Sequence, residues 1–290
     1  VKPPRFTYVR AESVEEAIAA RQRYEGEASI LAGGQSLVPM LNFRLARPAA
    51  LIDLSGVPDL DYTFLDDTAV VVGAMRRQRD VELDADAIAR CPLLLDALHN
   101  VAHPAIRNRG TVGGTIAHAD ASAELPTTLV ALRGAVRVEG PGGQRSVAAE
   151  DFFAFHLTTT LEPDEVVVAV EFPNLEPGTG TAFVEVARRH GDYALAGVGT
   201  ALRLDDAGRL RDVRLAVSGI APISTRAGAV EALLDGAAPD DAVLAEAGRL
   251  AAELVDVVDE EQASAAYRRQ LVNVLVPRAI GEAAAKAGAR

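Results

Sequence analysis

The hydrophobic pattern divides the chain into three stretches. In the first, helix-spaced and strand-like runs alternate. Ser13-Val14-Glu15-Glu16 is a Ser-x-x-Glu capping box, which predicts a helix to about Tyr24. Ala28–Ala32 is a short apolar run closed by Gly33-Gly34, the pattern of a strand and a glycine turn. Ser36 is a competent N-cap and Pro39 fits a first turn, so a second helix is predicted through Leu45, followed by a strand over Ala50–Leu54. The middle stretch opens on a β-branched strand, Ala69–Gly73. Helices are predicted over Val81–Ala89, Pro92–Val101 and Pro126–Leu132, with a polar glycine-rich loop at Arg107–Thr115. Strands follow at Ala135–Val138 and Glu165–Phe172, separated by the breaker Gly140-Pro141-Gly142-Gly143.

Asn174–Gly180 reads as a linker. Beyond it lie strands at Ala182–Ala187, Ala194–Leu204 and Val213–Ser218, the last two joined by the hairpin turn Asp205-Asp206-Ala207-Gly208. Helical pieces follow at Ala227–Leu234, Asp241–Val255 and Ser264–Lys286. Strands followed by helices predict an α+β domain. The expected organisation is residues 1–175 (lobes of about 1–56 and 57–175) and a C-terminal α+β domain over 178–290.

Composition narrows the chemistry. At 290 residues the chain is about twice a typical domain and needs no disulfide or metal staple. With 41 acidic against 29 basic residues the net charge is −12, which repels phosphate backbones and argues against nucleic-acid binding. Eight Phe, five Tyr and no Trp leave little for base stacking. The lone cysteine, Cys91, excludes an internal disulfide, a Cys-ligated zinc site or an iron–sulfur cluster within this chain. No apolar run approaches transmembrane length, and Val1–Arg10 has two prolines and no signal core, so the expectation is a cytoplasmic protein.

Two glycine pairs stand out, Ala32-Gly33-Gly34-Gln35-Ser36 and Thr111-Val112-Gly113-Gly114-Thr115. Paired glycines allow positive φ and leave the backbone bare, so consecutive N–H groups can converge on an anion. An acidic protein that binds a phosphorylated cofactor needs such local donors. Arg107 and Arg109 would offset charge beside the second bend, and a side chain at Gly113 would occupy the anion's approach. Neither bend is a Rossmann or Walker fingerprint. As chemistry alone, two tight turns and a phosphate cradle both remain open.

The segments AGGQSL (32–37), LVPMLNFRLARPAALIDL (37–54), IRNRGTVGGTIAHADASAE (106–124) and ARRHGDYALAGV (187–198) closely resemble the FAD-binding medium subunit of molybdenum hydroxylases, the carbon monoxide dehydrogenase and xanthine dehydrogenase family. The resemblance implies a two-lobed FAD-binding region of the vanillyl-alcohol-oxidase type, then a small antiparallel sheet with helices. It implies that residues 32–36 and 111–115 cradle the FAD pyrophosphate and that Ile30, Leu31 and Leu37 flank the first bend. Val101 and Val167 would make apolar contact, Glu124 would bond toward the flavin or its ribityl chain, and Tyr193 would cover the isoalloxazine. Val184 stands where xanthine-oxidising relatives have a lysine, so that contact is absent.

The implied function is electron transfer from a small iron–sulfur subunit through FAD to an external acceptor. Substrate would be oxidised at the molybdenum cofactor of a large subunit, in a dimer of heterotrimers. The alternative is a self-sufficient FAD-dependent oxidoreductase on the same fold.

Other candidates read more simply. His99 and His103 would share a helix face but lack the glutamate of a His-Glu-x-x-His site, and Pro104 follows. His118, Asp120 and Ser122 have no nucleophile elbow beside them and read as loop and cap residues. Glu124 equally suits a helix first turn and Tyr193 a strand-end core position. Cys91 reads as a buried structural thiol, and Asp256–Glu261 as solvated surface.

Overall fold

A computed structural model describes residues 2–254, 257, 259 and 262–289. Much of the acidic run at 256–261 lies outside the described residues.

The first lobe is a parallel sheet of β1 (Thr7–Arg10), β2 (Ala28–Leu31) and β3 (Ala50–Asp53), with β3 in the middle. Helix α1 (Val14–Arg23) joins β1 to β2, and its N-cap Ser13 accepts the Glu16 N–H at 3.2 Å. Glu16 reaches back to the N–H of Glu12 at 2.9 Å, one residue beyond the usual box. Helix α2 (Leu37–Asn42) is shorter than its pattern suggested, and the Ser36 side chain makes no capping bond. β1 had no forecast, because Pro3 and Pro4 mask the start of the run.

The second lobe is an antiparallel sheet of β4 (Thr63–Leu65), β5 (Ala69–Gly73), β6 (Ala135–Gly140), β7 (Gly143–Ala148) and β10 (Val166–Pro173), in the order β4-β5-β10-β6-β7. The connections carry α3 (Gln78–Glu82), α4 (Ala85–Arg90), α5 (Leu93–Leu98), α6 (Pro104–Arg107), α7 (Val112–His118), α8 (Glu124–Ala131), α9 (Ala149–Phe152) and a small ribbon of β8 (Phe153–Phe155) and β9 (Thr158–Thr159). The single helix read over 81–89 is two, because Asp84 caps the second through the N–H of Ala87. His99 ends α5, Ala102 turns at φ 41°, and His103 caps α6, so the two histidines share no helix face.

β10 joins the two lobes. A bulge between Val167 and Ala169 breaks its alternation, so Val166 and Val168 enter the first-lobe core while Val167, Val170 and Phe172 enter the second.

The last sheet is antiparallel: β11 (Gly180–Ala187), β12 (Ala194–Leu204), β13 (Leu210–Ser218) and β14 (Thr225–Arg226). Helices α10 (Gly228–Leu234), α11 (Asp241–Leu254) and α12 (Ala265–Gly288) cover one face, where Ala182, Val184, Val198, Leu202, Leu215 and Val217 form a core. The other face packs on the second lobe through Phe183, Ala201 and Ala216. Burial on both faces explains the long apolar runs. Polar bonds pin this seam: Thr127 Oγ1 to Ser224 Oγ at 2.9 Å, and Asp96, which takes Thr181 Oγ1 at 2.6 Å and Lys286 Nζ at 3.0 Å.

Candidate functional site

The fold brings the two glycine bends into contact. A Cβ on Gly33 would strike Arg109 O and lie 2.9 Å from Gly110 Cα; one on Gly114 would lie 3.4 Å from Ala32 Cβ. The first bend thus packs through Gly33 directly on the backbone of Arg109–Gly110, which a side chain there would prevent, while Gly114 lies within ordinary contact of Ala32.

Their roles differ. Among the described residues, the N–H groups of Gly33, Gly34, Gln35, Ser36 and Leu37 donate to no acceptor in the chain. Gly34 supplies the turn at φ 72°, and Gln35 Nε2 ties back to Gly33 O at 3.0 Å. Residues 30–37 are all half-buried, so these donors line a surface open to a ligand. The second bend uses its amides on the chain: Val112 N–H to Arg76 O and Gly113 N–H to Ala74 O, both 3.0 Å, Gly114 N–H to Thr111 Oγ1 and Thr115 N–H to Thr111 O, both 3.1 Å. It opens helix α7 rather than a loop, with Thr111 as N-cap. Gly113 faces Ala74, whose Cβ, Cα and O would lie 2.5–2.7 Å from an added Cβ, so its missing side chain makes room for β5 and not for an anion.

Arg107 also serves the scaffold. It is buried, bonds Glu82 through Nε at 2.8 Å and Nη2 at 3.1 Å, and donates to Val101 O at 2.8 Å. Burial alone would raise the Glu82 carboxyl, but the bonds from Arg107 and Arg79 hold it below the usual range. Arg109 is exposed, and its carbonyl accepts from Arg77 Nη1.

The other wall comes from the last sheet. The β11–β12 connection reaches the second lobe at Gly191, where an added Cβ would lie 2.8 Å from His103 Cε1. Tyr193 follows, 59% exposed, with its hydroxyl beside the Ser36 side chain, whose hydrogen-bonding lowers its pKa. Partial desolvation of the hydroxyl, with the Asp120 and Glu124 charges, raises its pKa on balance. Glu124 opens α8; burial pushes its carboxyl up to about 7, and Asp120 adds to this against the helix-end amide and Arg107. Ser122 N–H bonds Asp120 Oδ1 at 2.9 Å, an Asx turn that shapes this approach. Val101 and Val167, 7% and 6% exposed, lie in the second-lobe core.

Sequence reasoning missed Glu185. It lies on β11, burial and the Glu124 charge push its carboxyl up to about 8, and Oε2 is buried without a partner. The signal was a lone acid in the apolar run Phe183-Val184-Glu185-Val186-Ala187, on the Phe183 side of which the sheet meets the second lobe.

These features set free amides at the first bend near two carboxyls and an aromatic ring, a set of groups that suits an anionic ligand with a flat polar ring. Comparison with known proteins gives the family. Residues 4–175 match the model of the FAD binding domain in molybdopterin dehydrogenase, and 181–283 that of the CO dehydrogenase flavoprotein C-terminal domain. Subunit alpha of the 6-hydroxypseudooxynicotine dehydrogenase complex of Paenarthrobacter nicotinovorans is 38% identical over 98% of this chain and 96% of that subunit. The carbon monoxide dehydrogenase medium chain of Hydrogenophaga pseudoflava is 35% identical over 98% of this chain and 99% of its own. Among solved structures, carbon monoxide dehydrogenase from that organism superposes at TM-score 0.96 with 36% identity, covering 99% of each chain. Quinoline 2-oxidoreductase from Pseudomonas putida 86 gives 0.94 and 36% over the same share of each.

The chain belongs to the FAD-binding medium-subunit family of the molybdenum hydroxylases: it is an FAD-binding subunit of an oxidoreductase. No helix of the described residues is long and apolar enough to cross a membrane.

Proposed function

We propose that FAD lies in a cleft with its diphosphate on the free amides of residues 33–37 and its ring end toward Tyr193, Glu124 and Glu185. The run of five unbonded N–H groups carries this reading. Buried or ligand-facing amides are rarely left without acceptors, and a diphosphate supplies several. The second bend acts beneath it: Arg109 and Gly110 pack closely on Gly33, and Gly114 of residues 111–115 lies against Ala32. Ile30, Leu31 and Leu37 flank the diphosphate, Val101 and Val167 form the apolar wall, and the carboxyls accept from the cofactor's hydroxyl and ring N–H donors.

Bound FAD supplies electron transfer between the iron–sulfur clusters of a small partner subunit and an external acceptor. The chain's residues fix and orient it; none acts as a general acid or base on substrate, which is oxidised at the molybdenum cofactor of a large subunit. The assembly is a dimer of heterotrimers in the cytoplasm, with the linker at 174–180 dividing this chain's FAD-binding region from its C-terminal domain.

The test compares FAD with riboflavin, which lacks the diphosphate. The full chain stripped of flavin should bind FAD one to one and at least about a hundredfold more tightly, the equivalent of two or three charge-assisted hydrogen bonds. Equal affinity for riboflavin would remove the diphosphate from the first bend. Substrate turnover by the chain without partners would overturn the relay.

A further inference from the structure

Three residues lie in one row across the last sheet: Glu185 of β11 pairs with Gly197 of β12, which pairs with Ser218 of β13. Gly197 leaves a notch between its neighbours. A Cβ there would lie 2.5 Å from Ser218 Oγ and 3.6 Å from Glu185 Cβ. Both sides of the notch end in buried oxygens without partners, Ser218 Oγ and Glu185 Oε2, and Ser218 is only 1% exposed. Two residues further along β12, Gly199 faces Thr127 of α8, whose Cγ2 would lie 3.8 Å from an added Cβ. Glu124 is one helical turn before Thr127, at the end of α8 that meets this row: Gly219, next to Ser218, donates its N–H to Ala121 O at 2.8 Å, and the Glu124 charge acts on Glu185.

The surrounding groups do not neutralise this pair. Asp120 and Tyr193 lie on the Glu124 side, where Arg107 acts from α6 but is bound to Glu82. From α5, Asp96 is taken up by Thr181 and Lys286. From α12, the buried Arg268 donates to Leu195 O at 3.2 Å. Two carboxyls whose charges act on each other in a partly desolvated site cannot both ionise cheaply; one proton shared by the pair is the stable arrangement.

We propose that Glu124 and Glu185 hold a single proton between them at the Gly197 notch, and that FAD binding draws this proton in from solvent. The inference rests on the cleft reading above. An anionic cofactor laid over the notch removes water from both carboxyls and adds negative charge nearby, so the bound complex holds the proton to higher pH than the free chain. One O–H bond forms on a carboxylate and one proton leaves the solvent; no electron moves. Glu185 thus acts on cofactor affinity through the proton it shares with Glu124, besides any contact of its own with the ring end.

The experiment measures FAD affinity of the flavin-stripped full chain by fluorescence titration from pH 7 to 9. Proton uptake is counted by calorimetry in two buffers of different ionisation enthalpy. The native chain should weaken as pH passes about 8, with a limit of about tenfold per pH unit for one linked proton. Glu185→Gln should flatten that dependence and abolish the uptake. Glu185→Asp should keep both, which a merely structural role for the side chain would not require. A native profile without pH dependence, or one that Glu185→Gln leaves in place, would overturn the inference while leaving FAD in the cleft. Failure of the native chain to bind FAD at any pH would instead bring down the cleft reading and the inference together.

Discussion

Replacing Gly113 by alanine should loosen the cofactor cradle from beneath. An added Cβ would meet Ala74 Cβ at 2.5 Å, Cα at 2.6 Å and O at 2.7 Å, where carbon contacts are comfortable at about 3.5–4.0 Å. Those atoms have little freedom: Ala74 donates to Val168 O at 3.0 Å, and its carbonyl accepts Gly113 N–H at 3.0 Å. Helix α7 must retreat from β5 by roughly 1 Å to restore ordinary contact. Overpacking on this scale costs about 1–3 kcal/mol. If the whole strain falls on the FAD-competent arrangement, affinity drops by about 5- to 150-fold. If it falls on the fold, each kcal/mol lowers the melting temperature by about 2–4 °C. FAD titration and thermal melts with and without FAD separate the two. Gly142→Ala is the control, since nothing lies within 4 Å of that position. Ala74→Gly in the Gly113→Ala background removes the nearest obstructing atom and should recover part of the loss, a coupling of neighbouring sites. Unchanged affinity and melting temperature in Gly113→Ala would refute the packing role of this glycine.

Arg107→Ala leaves Glu82 buried with Arg79 at 2.9 Å as its remaining bonded cation, so urea denaturation should show a loss of about 3 kcal/mol, the lower end for a broken buried pair. Because the folded carboxyl sits below its usual range, the pair's contribution is full above about pH 4.5 and is lost as pH falls through the folded value, so native and variant stabilities should converge in acid. Cys91 is fully buried and its thiol is pushed up to about 12 by burial, so a thiol reagent at pH 8 should label the native chain negligibly and the urea-unfolded chain once; rapid native labelling would contradict its place in the core.

Where pattern and local chemistry coincide, the sequence was readable. The capping box at Ser13 marks the start of α1, and Asp205–Gly208 joins β12 to β13 as a hairpin, with Gly208 at φ 73°. Gly113 and Gly114 misled: as a pair they read as a turn, yet they lie in the first turn of α7, where Ala74, just after β5, presses on Gly113 and the capping hydroxyl of Thr111 presses on Gly114. The two bends were legible as features but not their division of labour, because that depends on which amides find acceptors elsewhere in the chain. Arg107 looked like a ligand for an anion only while Glu82, twenty-five residues earlier, was unplaced. Glu185 was invisible for the same reason. A single acid in a strand acquires meaning only when tertiary contact sets a second one, Glu124, against it.

The strand pair that carries Glu185 and Tyr193 is held from behind by α12, where a Cβ on Gly180 would strike Ala283 O and lie 2.7 Å from Ala287 N, and where Lys286 grips Asp96 at 3.0 Å. During synthesis, the cradle at residues 33–37 therefore leaves the ribosome long before the wall opposite it can be fastened. With FAD placed as proposed, cofactor capture is a late event in maturation, and retention of flavin reports that the polypeptide has been made and docked through to its last long helix.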